Sequence, residues 1–117
     1  MPVDRSKFIP RIVVAGTSGD SGKTLVSVGL LAGLRQLGYV TCAFKKGPDF
    51  IDPAWLMAAS GPKVRNLDTF LVDSQKVRTS FITHSDSDAI NLIEGNRGLY
   101  DGFDVDGSHS TAELARL

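Results

Sequence analysis

Arg11-Ile12-Val13-Val14-Ala15-Gly16-Thr17-Ser18-Gly19-Asp20-Ser21-Gly22-Lys23-Thr24 is the stretch that decides the fold. Its first five residues form a short apolar run suited to a buried parallel strand. Beyond it, Leu25, Val28, Leu30, Leu31, Leu34 and Leu37 recur at helical spacing. A strand, a glycine-rich turn and a helix in that order bring backbone N–H groups and the positive end of a helix to one point, which suits phosphate oxygens. Gly16, Thr17, Gly19, Ser21, Gly22, Lys23 and Thr24 are therefore the expected nucleotide-binding residues. Lys23 would reach the outer phosphates, and Thr24 would offer its hydroxyl to Mg²⁺. Counting back from Gly22-Lys23, the first glycine of the strict phosphate-loop spacing falls on Thr17, with Gly16 one residue earlier.

The segments that follow alternate between helix and strand, with no internal repeat and no low-complexity tract. Gly38 stops the loop helix, and Tyr39 to Lys45 is rich in strand formers, which predicts a second strand that delivers Lys45 to the loop end. Pro53 suits the first turn of a helix over Ala54 to Ser60. Asp52 stands at the expected N-cap, and Gly61-Pro62 closes the helix. Trp55, Leu56 and Met57 are expected to pack on the sheet. A helix is expected within Asp73 to His84, on the spacing of Val77, Phe81 and Ile82. Ala89 to Glu94 reads as a core strand ending in an acidic residue. Gly95 to His109 is glycine-rich and irregular, and Ser110-Thr111-Ala112-Glu113 has the form of a capping box opening a helix that stops at Leu117.

The fold class that follows is α/β: a phosphate-loop domain with a doubly wound, mostly parallel sheet and helices on both faces. Ligands of such sheets bind beyond the carboxyl ends of the strands, where Lys45, Glu94 and the loop converge. Covering both faces takes more elements than these residues supply. Residues 1–10 are thus expected to be an N-terminal extension, and 11–117 the N-terminal part of a larger synthetase domain.

Composition narrows the function classes. In 117 residues, 42% hydrophobic content supports an ordinary core, and thirteen basic side chains balance thirteen acidic ones. A neutral balance gives no reason to expect nucleic-acid or membrane-surface binding. Cys42, the single cysteine, has no partner for an internal disulfide and reads as a small buried hydrophobe in a reducing compartment. Met1 to Lys7 is polar and lacks the apolar segment of a signal peptide, and no run approaches membrane-spanning length. A cytoplasmic location is expected.

Three further stretches, Lys45-Lys46-Gly47-Pro48-Asp49-Phe50-Ile51-Asp52-Pro53, Asn66-Leu67-Asp68-Thr69 and Glu94-Gly95-Asn96-Arg97-Gly98-Leu99-Tyr100-Asp101-Gly102, join the loop in a constellation. In order and spacing it resembles the N-terminal synthetase domain of the cobyrinic acid a,c-diamide synthase family, over nearly the whole chain. The stretch from Gly47 to Pro53 is the most diagnostic. The resemblance implies use of ATP and Mg²⁺ to amidate the a- and c-acetate side chains of a corrin precursor. Ammonia would come from glutamine on a C-terminal amidotransferase domain, and a homodimer is the family analogy. A related branch acts in the same way on nickel sirohydrochlorin, and both branches fit Gly95 to Leu117.

Under this resemblance Lys23 and Lys45 neutralise transferring oxygens, and Thr24, Asp52 and Glu94 hold Mg²⁺. Asp49 and Asp101 line the substrate side, so Lys23, Lys45, Asp49 and Asp101 are the expected catalytic residues. Simpler readings stand beside these: Asp52 as a helix cap, Asp101 before Gly102 as a turn former, and Glu94 as half of a structural ion pair. Asp68 is read as a cap and His84 as solvated. His109 follows the glycine-rich loop, where it can face substrate, and neither histidine is read as catalytic; Arg97 either meets a substrate carboxylate or pairs with Asp101 or Asp104. Two other classes stay open. A dethiobiotin synthetase-like ligase shares the loop, but Gly47 to Pro53 and Leu99 to Gly102 argue against it. A regulatory ATPase is disfavoured by Ser18, where partitioning and cell-division ATPases carry a second signature lysine.

Overall fold

A computed structural model describes residues 8–61 and 63–117. The polar Met1 to Lys7 and Pro62, to which the sequence assigns an extension and part of a helix stop, lie outside the described residues. Among these, β1 (Arg11–Gly16), β2 (Thr41–Lys46), β3 (Val64–Leu67) and β4 (Ile90–Gly98) form one sheet. Its order is β1-β4-β2-β3, and every pairing is parallel. Four helices, α1 (Lys23–Gln36), α2 (Ile51–Ser60), α3 (Ser74–His84) and α4 (Thr111–Arg116), fall between or after the strands. This is the α/β architecture that the alternating periodicities predict.

The central strands β2 and β4 are buried on both faces, and their side chains alternate between two cores, whereas β1, expected to be buried, lies at the sheet edge with Ile12 and Ala15 exposed. Ala43 of β2 and Leu92 of β4 join Leu31 of α1 with Leu56 and Ala59 of α2, and half-buried Val14, Val28 and Val64 pack beside them. Phe44 and Ile93, one residue further along each strand, join Leu67, Val77 of α3 and Leu114 of α4. Helices α1 and α2 thus cover one face, and α3 and α4 the other. Phe44 and Phe81 meet as a tilted ring pair with centroids 4.9 Å apart. Each fully buried large apolar side chain contributes about 1.5–3 kcal/mol.

Several local expectations change. The sequence shows no strand at residues 64–67, because Val64-Arg65-Asn66-Leu67 is short and half polar, yet β3 pairs along β2 from Ala43↔Val64 to Lys46↔Leu67. Helix α2 begins at Ile51, so Asp52 lies in its first turn and is not its N-cap. Asp49 takes over that work: its Oδ1 accepts from the backbone N–H of Ile51 at 2.7 Å and of Asp52 at 3.3 Å. Of Trp55, Leu56 and Met57 only Leu56 is buried, since consecutive helical positions point in different directions. In α1, Leu31 is buried while Leu25 and Leu30 are exposed, as is Leu37 just beyond its end, so one stripe of the apolar set faces the sheet.

The starts of α3 and α4 are capped by side chains, Ser110 in the box that the sequence suggests and Asp73 in a role that it does not show. Asp73 Oδ1 accepts from Gln75 N–H at 2.8 Å, and Ser110 Oγ from Glu113 N–H at 3.2 Å. The reciprocal half of the capping box is displaced by one residue: Glu113 Oε2 accepts from His109 N–H at 3.1 Å, because Ser110 N–H already bonds Gly107 O. Fully buried Asn91 is a polar latch. Its Nδ2 lies within hydrogen-bond distance of the carbonyls of Pro10, Asp86 and Ala89, and its Oδ1 accepts from Asp86 N–H. It ties the entrance of β4 to the entrance of β1.

Candidate nucleotide and metal site

The carboxyl ends of β1, β2 and β4 converge on one edge of the sheet, as a parallel arrangement requires. From β1 the chain enters the loop, and Gly22, with φ at 90°, turns it into α1. A side chain there would be strained. Gly16 has a different constraint: a Cβ on it would strike the Ser21 hydroxyl. The loop thus folds back closely on its own start, leaving no room for a side chain at Gly16. Lys23 Nζ donates to Ser18 O at 3.0 Å and reaches Ser21 Oγ at 3.4 Å, so its ammonium curls over the loop. Thr17 and Gly19 are exposed on the same loop.

Strand β2 carries Lys45 into the interior with its side chain 2% exposed. Buried ammonium groups need compensating partners. Nζ meets Glu94 Oε1 at 3.1 Å, Asp52 Oδ2 at 3.2 Å and Gly95 O at 2.7 Å. Glu94, fully buried at the register partner of Lys45 on β4, also accepts from Thr24 Oγ1 at 2.7 Å through the same Oε1. Its Oε2 is buried without a hydrogen-bond partner. Burial pushes the Asp52 carboxyl up, but the hydrogen bond and charge of Lys45, aided by Asp49 and Thr24, outweigh it and hold the group below its ordinary range.

The structure therefore gathers Lys23, Thr24, Lys45, Asp52 and Glu94 at one place. Thr24, Asp52 and Glu94 form an oxygen donor set of the kind that a hard divalent cation takes, and the bare Oε2 is the free donor. Asp49 sits at the same edge, occupied in capping α2. Asn66 Nδ2 fixes the turn before it by donating to Gly47 O at 2.7 Å and Asp49 O at 2.8 Å. Asn66 stands in one of the stretches that carry the resemblance, but this job depends on strand β3, which the sequence does not show.

Asp101 is exposed, and its Oδ2 accepts from Gly98 N–H at 2.9 Å, the turn-forming role that the sequence leaves open. Arg97 pairs with neither Asp101 nor Asp104 among the described residues and has φ at 52°. His109 lies within hydrogen-bond distance of Thr69 Oγ1, Nδ1 being 3.0 Å away, and packs edge-on against Phe70. Asp68 Oδ1 accepts from Phe70 N–H at 3.0 Å, the expected cap. His84 is exposed, with Nδ1 2.8 Å from Ser80 O. Burial, then the charge of Asp86, push the half-buried Cys42 thiol up, in keeping with a packing residue. Burial also lowers Lys46, the next residue along β2 from Lys45.

Two glycines that the sequence places only in a glycine-rich tract bind these parts together. A Cβ on Gly95 would meet Thr111 Cγ2 at 2.6 Å, and one on Gly98 would meet Thr17 O at 2.8 Å. Leu99 N–H donates to Gly16 O at 2.8 Å, which fastens the end of β4 to the start of the loop. A groove of about 520 Å³ lies elsewhere, among Val13, Val77, Phe81, Ile93 and Leu114, and shares none of these residues.

Residues 12–106 match the family model described as the CobQ/CobB/MinD/ParA nucleotide binding domain. The chain belongs to that family. Within it, the chain is similar to the cobyrinate a,c-diamide synthase of Magnetococcus marinus, 49% identical over 92% of this chain and 23% of that one. It is 45% identical to the Syntrophotalea carbinolica protein of the same name, over 92% of this chain and 24% of that one. The Archaeoglobus fulgidus protein, also of that name, is 41% identical over 100% of this chain and 25% of its own. The resemblance carried by the loop and the three acidic stretches is thus borne out at the level of the nucleotide-binding domain. The chain spans about a quarter of the length of the curated relatives it matches. No helix among the described residues is long and apolar enough to cross a membrane.

Proposed function

We propose that this nucleotide-binding domain belongs to an ATP- and Mg²⁺-dependent ligase that amidates the a- and c-acetate carboxylates of a corrin precursor. The observation that carries the reading is Glu94: a fully buried carboxylate with one oxygen unpartnered, beside Thr24 and Asp52 and behind the phosphate loop. The printed names of the relatives support the substrate class. Bound Mg²⁺–ATP would supply the phosphoryl group that turns an acetate into an acyl phosphate, from which ammonia then displaces phosphate.

The chain's own residues do the positioning. The loop from Gly16 to Thr24 holds phosphate oxygens through backbone N–H groups, and Lys23 places its charge on the outer ones. Thr24, Asp52 and Glu94 would hold the metal. Lys45 neutralises charge between nucleotide and substrate, and Asp49 and Asp101 orient the carboxylate from the far side. Phosphoryl transfer asks for little beyond positioning and charge neutralisation, which suits a site of fixed ammonium and carboxylate groups. Ammonia would come from glutamine on an amidotransferase domain elsewhere in the intact protein, which we place in the cytoplasm, with a homodimer as the family analogy. The phosphate-loop synthetase domain would begin near residue 11, after a short extension.

The test is an ammonia-supplied assay on the intact protein with cobyrinic acid, nickel sirohydrochlorin and diaminopelargonic acid, reading ATP consumption and product mass. Two successive amidation shifts on cobyrinic acid are expected. Shifts on the nickel macrocycle move the protein to the related branch, and carboxylation of the diamine moves it to the dethiobiotin type. ATP hydrolysis indifferent to all three favours a regulatory ATPase.

A further inference from the structure

The Lys45 ammonium is engaged inside the protein on three sides: it donates to Glu94 Oε1 and Gly95 O and pairs with Asp52 Oδ2 at 3.2 Å. In this arrangement its charge is held by two carboxylates and a carbonyl and is not directed at a phosphoryl oxygen. The two carboxylates that it holds are also the two expected to ligate the metal. Glu94 Oε1 is doubly engaged, by Lys45 and Thr24, and Oε2 is bare. We propose that Lys45 is a place-holder cation: it neutralises Glu94 and Asp52 while no metal is bound, and the arrival of a divalent cation on those carboxylates releases its ammonium toward the transferring phosphate. The inference rests on the metal-site reading above and concerns how that site is loaded.

The physical case is one of charge. A fully buried glutamate without a counter-ion is costly, so the metal-free protein needs a cation there. A divalent ion at Glu94 Oε2 and Asp52 would supply two positive charges, removing the attraction that holds Lys45 and adding repulsion. The side chain is long and unbranched, so its head can swing while its stem stays packed. Gly95 O, the shortest of the three contacts and a neutral acceptor, is the one that it can keep. Metal binding and delivery of the catalytic ammonium then become one event, and nucleotide that arrives without metal meets a lysine still bound elsewhere.

The test uses Mn²⁺ as the probe, its free concentration read by electron paramagnetic resonance, on the intact protein without nucleotide. Lys45→Met removes the competing cation and should bind Mn²⁺ at least about tenfold more tightly than wild type. Adding Glu94→Gln to it should abolish the gain. Equal or weaker binding by Lys45→Met overturns the proposal. Should Lys45→Met fail to fold, wild-type protein still decides: Lys45, protected from amine-directed acylation without metal, should become labelled when Mn²⁺ is added, and unchanged labelling overturns the proposal. Mn²⁺–ATP binding by wild type separates the two layers. Absence of Mn²⁺ binding with and without nucleotide defeats the metal-site reading itself, whereas normal Mn²⁺–ATP binding with an unresponsive Lys45 defeats only the place-holder role.

Discussion

Lys23 and Glu94 differ in what their side chains do for the fold, so their variants should separate function from stability. Lys23 opens α1 at the rim of the phosphate loop, donating to Ser18 O and Ser21 Oγ. Lys23→Ala should leave the unfolding free energy within about 0.5 kcal/mol of wild type, while nucleotide turnover falls by about a hundredfold or more. Denaturant midpoints and steady-state hydrolysis check the two halves. Glu94→Gln leaves buried Lys45 with only Asp52 as counter-charge. It should lose Mg²⁺-dependent turnover and also cost about 1–3 kcal/mol of stability. A pH effect follows from Asp52. Its carboxyl is held below the ordinary aspartate value of 3.8, so the unfolded chain takes up the proton first. The stabilisation is fully present above that value and is lost as pH falls through the lower folded one. Thermal midpoints below about pH 4 should therefore fall more steeply for wild type than for Asp52→Asn.

At the scale of elements, α4 and the end of β4 invite a test. Ser110 is buried and accepts from Glu113 N–H, so Ser110→Ala should destabilise by about 1 kcal/mol, visible as a lower denaturant midpoint at unchanged slope. Gly98→Ala should push its new methyl against Thr17 O, displacing the phosphate loop and raising the KM for nucleotide in initial-rate measurements. Elements with strong local signals are legible in the sequence: β1, α1 and β4 from apolar periodicity, α3 from the spacing of Val77, Phe81 and Ile82, and α4 from the capping box at Ser110. What escapes it is decided by partners far along the chain. Strand β3 is a strand because β2 offers it a free edge, whatever Arg65 and Asn66 prefer. Asp49 and not Asp52 caps α2 because the turn at Gly47, clamped by Asn66, brings that carboxylate to the helix start. Of the site, the residue types and their convergence are visible in advance. The triple engagement of Lys45 and the bare oxygen of Glu94 are not, since both depend on side-chain distances across strands.

For the molecule as a whole, two cores share one sheet, so a central strand serves both. Leu92 is fully buried in the core beneath α1 and α2, and Leu92→Ala should cost about 2–5 kcal/mol, with both faces loosening together as one cooperative transition by circular dichroism and tryptophan fluorescence. The strand order carries a further meaning for how the chain is made. Among the described residues β1 has β4 as its one sheet neighbour, and their register couples Arg11 to Asn91. During translation the phosphate loop leaves the ribosome before β4 does, and the strand that anchors it stays unpaired until some eighty residues more have emerged. The nucleotide pocket is thus synthesised well ahead of the strand that gives it its shape, and a bound nucleotide can steady this domain only after β4 is in place.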